Sequence, residues 1–176
     1  KENIDKIYSP QEYFSLEITQ EGKNKIAEQA RKLKEKNIDL IFSSPILRAR
    51  QSAEIVSKAL GLEVMYDERL VDMKMGELAG KPTSSYDDFF LIKKLGLSER
   101  PNGAENWVDI LQRMKSFLQD IEAKYQNKNI LIISHGEPLW LLAAHFEGAK
   151  TADEFLATRK TASNNLYPDV GDIIEL

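Results

Sequence analysis

Asn129-Ile130-Leu131-Ile132-Ile133-Ser134-His135-Gly136 is the stretch whose reading decides the fold. Its four consecutive apolar residues are the clearest strand in the chain. His135-Gly136 is the turn that ends it, and Pro138 opens an apolar helix that runs to about Phe146. A second short apolar run, Ile38 to Ser43, reads the same way, and Ser44-Pro45 opens the helix after it. That helix has an apolar face of Leu47, Ala53, Val56 and Leu60, with Gly61 at its C-cap. Upstream, Thr19 is the N-cap of a helix carrying Ile26, Ala30 and Leu33, which Asn37 ends. Glu63 to Tyr66 is a third candidate strand. Arg69 to Pro82 reads as loop, Tyr86 to Leu95 as helix, and Gly96 to Gly103 as loop. Trp107, Ile110, Leu111, Met114, Phe117, Leu118 and Ile121 mark a long amphipathic helix. A weak helix near Asp153 to Leu156 and a strand at Asp172 to Leu176 complete the prediction, and the first eighteen residues read as loop.

Strands alternate with helices from residue 20 onward. The pattern predicts an α/β fold: a three-layer α/β/α sandwich, a mostly parallel central sheet with helices on both faces. Sites in such sheets lie at the carboxyl ends of the strands. Two strand ends carry chemistry here: Ser43-Ser44 with Arg48 just beyond, and Ser134-His135-Gly136.

The 176 residues are 42% hydrophobic and 30% charged, a globular balance in a chain long enough for one sizeable core. One domain is expected over residues 1–176. The net charge of −4 argues against a general nucleic-acid or anionic-membrane binder, while a local basic pocket stays open. With no Cys, disulfides, thiolate zinc sites and thiol catalysis are excluded. No apolar run approaches the ~20 residues of a membrane span, and no signal peptide is visible, so a cytoplasmic location is expected. The two histidines, His135 and His145, are ten apart and match no metal spacing; no metal and no cofactor are expected. Walker and Rossmann glycine patterns are absent, and Ser44 lacks the context of a hydrolase elbow.

His135 stands between a strand end and a helix N-terminus, where backbone N–H groups and the helix dipole favour an anion. The ordinary account is a hydrogen-bonded turn histidine. Arg48, one turn past the other strand end, presents a planar fork suited to phosphate oxygens; its ordinary account is an exposed helix-face arginine. Asp72, in a loop after a candidate strand, is a candidate general acid, since a neighbouring anion favours a protonated carboxyl; an Asx turn is the ordinary account. Glu105 and Glu137 sit near helix starts, where a carboxylate is a dipole partner. His145, near a helix C-terminus, reads as structural.

Five blocks in order resemble the histidine phosphatase, or phosphoglycerate-mutase-like, superfamily. Ile18-Thr19-Gln20-Glu21-Gly22 resembles its "Leu-Thr-x-x-Gly" helix start. Ser43-Ser44-Pro45-Ile46-Leu47-Arg48-Ala49-Arg50-Gln51-Ser52-Ala53 is similar to "Ser-Ser-Pro-Leu-x-Arg-Ala-x-x-Thr-Ala". Arg69-Leu70-Val71-Asp72 with Gly76 and Gly80 resembles "Arg-Leu-x-Glu … Gly … Gly". Gly103-Ala104-Glu105-Asn106 with Asp109 and Arg113 resembles "Gly-Glu-Ser … Asp … Arg", and Ile130 to Gly136 resembles "Val-Leu-Ile-Val-Ser-His-Gly".

The resemblance implies metal-independent phosphoryl transfer from a phosphate monoester through a phosphohistidine. It makes Arg48 a phosphate-gripping arginine, His135 the second histidine of the phosphate pocket with Gly136 beside it, Asp72 the proton donor and Glu105 a helper behind the site. Two departures stand out. No His precedes His135, so the family's nucleophilic "Arg-His-Gly" is not in the sequence, and a chain truncated at its N-terminus is expected. Asp72 replaces the usual Glu and is one methylene shorter.

Only 21 residues separate Gly80 from Asn102, and Tyr86, Phe89 and Phe90 there form a small lid or, more ordinarily, core packing. Mutases of the family tend to carry more, so a phosphatase of a small phosphorylated substrate is expected, with phosphate itself as a ligand. The alternative is a catalytically inactive phosphatase-like accessory or binding domain excised from a larger chain, such as an isoleucyl-tRNA synthetase, whose surroundings the tail faintly resembles. Oligomeric state has no signature in the sequence.

Overall fold

Alternation along a four-residue strand sorts the core into two halves. In β1 (Leu40–Ser43), Ile41 points to one face of the sheet, where it packs with Ala30, Leu33 and Val56. Phe42 points to the other, where it meets Phe117 edge-on at 5.3 Å. The computed structural model describes residues 16–159, 166–169 and 171–175.

The sheet has β1 in the middle, β2 (Val64–Tyr66) on one side and β3 (Ile130–Ile133) on the other, all parallel. On the Ile41 face lie α1 (Gln20–Leu33) and α2 (Leu47–Leu60). On the Phe42 face lie α4 (Trp107–Lys124) and α5 (Gly136–Phe146), with the short α3 (Thr83–Tyr86), its π-helical continuation Asp87–Ile92, and α6 (Ala152–Arg159) around them. These are the three layers the alternation predicts.

Local chemistry explains the element ends. Thr19 caps α1, its Oγ1 accepting from the Gly22 amide at 3.1 Å. The helix tightens to a 3-10 turn at Lys34–Lys36 and stops at Asn37 in the left-handed region. Asn106 and Asp109 form a reciprocal capping box at the start of α4. That helix buries Trp107, Ile110, Met114, Phe117 and Ile121, the stripe read from the sequence.

Several boundaries differ from expectation. The helix after β1 starts at Leu47, so Ser44-Pro45 forms an extra turn of loop that carries the chain over the sheet end. The loop from Arg69 contains two 3-10 turns, Glu68–Leu70 and Gly76–Leu78. Tyr86 and Phe90 are core residues stacked at 4.5 Å, the packing role weighed for this aromatic stretch. The expected strand at Asp172 to Leu176 is not formed over residues 172–175. Asp172 instead closes a turn with Asp169, the amide of each donating to an oxygen of the other. Most of the predicted N-terminal loop lies outside the described residues.

Among the described strands, β1 is paired on both edges and the outer edge of β3 has no strand partner. The pairing therefore brings β1 and β3 together with no strand between them. Among the described residues, no helix is long and apolar enough to cross a membrane.

One glycine fixes the long loop. Gly76 has φ +49°, and a Cβ there would lie 2.3 Å from the Ala104 amide nitrogen, where Met75 bridges to Ala104. Gly80 has φ +75° but open space around it. Gly76→Ala should therefore cost about 2 kcal/mol or more, clearly exceeding Gly80→Ala, which should cost about 1 kcal/mol. Urea denaturation of the two variants checks this, and equal losses would refute the crowding argument.

Candidate functional site

Parallel pairing sets the site. Ser43 is in register with Ile133, and the Ser44 amide donates to the Ile133 carbonyl at 2.9 Å. The two strands thus end at one level, and the segments leaving them meet. After β1 come Ser44 and, in the first turn of α2, Arg48. After β3 comes His135, the N-cap residue of α5.

Both positions break local preference. A cation in the first turn of α2 opposes the helix dipole, and no acidic residue occupies that turn. An N-cap is usually Ser, Thr, Asp or Asn, whereas the His135 side chain makes no capping bond and turns into the protein. Such conflicts between local and tertiary demands concentrate at functional sites.

The side chains converge. Arg48 Nη2 donates to Asp72 Oδ2 at 2.7 Å and lies 3.0 Å from His135 Nδ1. His135 Nδ1 is 3.6 Å from the same Asp72 oxygen, and His135 Nε2 is 2.8 Å from Ser44 Oγ. A guanidinium only donates, so Nδ1 is the acceptor and the proton sits on Nε2, donated to Ser44. His135 is 7% exposed. Burial pushes its pKa down to about 4; the Asp72 carboxylate opposes this, while the positive Arg48 and Arg113 add to it. The imidazole is neutral at pH 7.

Asp72 reaches the site because its loop is clamped. Asp72 Oδ1 accepts from the Met73 amide at 2.9 Å, leaving Oδ2 to Arg48. Glu105 and Arg113 form a fork, Nε to Oε1 at 2.8 Å and Nη2 to Oε2 at 3.2 Å. Arg113 Nη1 also donates to the Arg69 carbonyl at 2.6 Å, and Glu105 Oε2 accepts from the Lys74 amide at 3.0 Å. Ser134 Oγ holds the Leu70 carbonyl at 2.8 Å. Glu105 and Arg113 together therefore grip the two ends of residues 69–74. The Glu105 carboxylate goes to Arg113 rather than to the helix start, where Asn106 and Asp109 supply the cap.

Glu137 stands in the first turn of α5, as its dipole-partner reading requires, but its carboxylate has further partners. It is buried on α5 and accepts from Trp107 Nε1 at 3.0 Å, from Arg159 Nη1 at 3.0 Å, and from the Tyr86 hydroxyl. Ser44, Glu137, Arg159 and Tyr167 were not legible as partners. An acid in an otherwise apolar helix is a signal that a cation must cover it, yet Arg159 lies 22 residues away on another helix. Among the described residues no three His, Cys, Asp or Glu side chains gather as a metal-binding group.

The chain itself belongs to a known family. Residues 2–166 match the family model described as histidine phosphatase superfamily (branch 1), and the chain belongs to that superfamily. Among curated relatives, the Hydrogenobacter thermophilus protein named "Putative phosphoserine phosphatase 2" is 32% identical over 124 residues, covering 68% of this chain and 61% of its own. The Escherichia fergusonii "Probable phosphoglycerate mutase GpmB" is 28% identical over 137 residues, covering 74% and 63%. The chain thus spans a little over three fifths of the curated relatives' lengths. A mycobacterial glucosyl-3-phosphoglycerate phosphatase superimposes with a TM-score of 0.74 at 21% identity, over 89% of this chain and 78% of its own, which speaks for the fold.

Two outcomes test the site. His135 takes up its proton more readily unfolded, at pKa 6.5, than folded, at about 4. Stability should therefore fall with pH between 6.5 and 4, by on the order of 3 kcal/mol from this group. Denaturation across that window should show the excess slope in the wild type and not in His135→Asn. Glu105→Ala leaves the half-buried Arg113 guanidinium without its carboxylate and should cost about 2 kcal/mol. It should also speed hydrogen exchange at the Lys74 amide, and protection equal to wild type there would remove the clamp.

Proposed function

We propose that this protein is a phosphatase of small phosphate monoesters, working in the cytoplasm without a metal and through a phosphohistidine. The observation that carries the reading is the meeting of Arg48 and His135, beyond the ends of adjacent parallel strands, with Asp72 from the clamped loop. Family membership and relatives named as phosphatases and a mutase support the reaction class.

In this reading a phosphate oxygen replaces Asp72 as the partner of Arg48. The dianion also favours a second proton on His135, which then donates to a phosphate oxygen through one of its nitrogens, with Gly136 beside it at the positive end of α5. Asp72, released from the guanidinium, takes up a proton from solvent beside the dianion and then gives it to the leaving oxygen. Its shorter side chain is offset by a loop that sets Oδ2 within 3.6 Å of His135. Fixed charges aimed at the transferring group provide most of the acceleration. The phosphoryl-accepting histidine of the family motif is neither His135 nor His145, and no other histidine is among the 176 residues.

That last observation also favours a second reading, in which these residues bind phosphate without turning an ester over. An aryl phosphate assay of the complete protein, with chelator present, separates the two. The expected result is turnover and an acid-labile phosphoenzyme, with kcat/KM reduced about a hundredfold or more in Arg48→Ala and in His135→Ala. Phosphate binding without turnover from pH 5 to pH 8 selects the second reading.

A further inference from the structure

Tyr167 lies far from Gly136 in sequence but against it in space. A Cβ on Gly136 would stand 2.8 Å from the Tyr167 hydroxyl and 3.0 Å from the ring carbon that bears it. Gly136 is the first residue of α5 and directly succeeds His135. The phenol oxygen therefore hangs over the helix N-terminus at the site, and the bare Cα of Gly136 is what admits it.

The ring is held from behind. The Arg159 guanidinium stacks 4.3 Å from the Tyr167 ring centroid and 4.7 Å from that of Trp140, and it is itself fixed by Glu137. Trp140 meets the Tyr167 ring at 5.9 Å. The ring is thus held by Arg159 and Trp140, while among the described residues the hydroxyl makes no hydrogen bond with any protein group. Burial, together with the negative charges of Glu137 and Asp72, raises the phenol's pKa against the opposing pull of Arg159, so it stays protonated and can donate.

We infer that Tyr167 is a further substrate-positioning residue, its hydroxyl donating a hydrogen bond to a non-bridging oxygen of the bound phosphate at the N-terminus of α5. The inference rests on the phosphate-site reading above. It makes the segment 166–169 a wall of the pocket. It also explains the buried Glu137–Arg159 pair as the pedestal that aims the phenol.

Tyr167→Phe removes one oxygen and keeps the stacked ring, so thermal stability should stay near wild type. In the complete protein, affinity for inorganic phosphate, measured by calorimetry, should fall about tenfold. For an aryl phosphate, kcat/KM should fall by a similar factor. A ring needed only for packing leaves both unchanged in Tyr167→Phe and loses stability in Tyr167→Leu. Phosphate affinity within twofold of wild type in Tyr167→Phe, beside a large loss in Arg48→Ala, overturns the inference and leaves the phosphate site standing. No phosphate binding by the wild type overturns both.

Discussion

The in-register pairing of β1 with β3 is the constraint on which the site depends. Ser43 opposite Ile133 makes the two strands stop at the same height. A slip of one residue would turn Ile41 and Phe42 to the wrong faces and would carry Arg48 and His135 apart. The alternating side chains on both faces enforce the register, so core packing and site assembly are one requirement. The hydrophobic effect, which has no direction of its own, here positions a guanidinium and an imidazole to within 3.0 Å.

Behind that meeting stand two polar devices of different kinds. Glu105 and Arg113 hold backbone: their fork ends on the Arg69 carbonyl and the Lys74 amide and so fixes the loop that carries Asp72. Glu137 and Arg159 hold side chains, with Trp107 and Tyr86 completing the shell around the carboxylate. Breaking either pair leaves a partly desolvated charge without its opposite, which makes both more costly to lose than to omit. The burial that makes them rigid also keeps His135 neutral, and a neutral imidazole can respond to an arriving anion by taking up a proton.

Much of this was legible. His135 and Arg48 stood out because each follows an apolar run that reads as a strand, at the strand end where a parallel sheet places its site. Asp72 and Glu105 were legible only through likeness to a known family, since a loop acid and an acid near a helix start have commoner explanations. Tyr167 gave no signal, and the segment beyond it read as a strand. There the apolar pair Ile173-Ile174 matched strand periodicity, but Asp169 and Asp172 close a turn locally and outcompete a distant edge.

By itself the sequence determined the alternation of strands and helices, the parallel sheet, the long stripe of α4 and the two strand ends that carry chemistry. These arise from periodicity and from apolar runs, which are local properties of the chain. Only the tertiary structure decided that Ser44 accepts a hydrogen bond from His135, that Arg113 clamps the Asp72 loop, and that Arg159 and Tyr167 return to α5. Those partners are brought together by packing across the sheet and between helices, and contact over such separations has no local pattern to announce it.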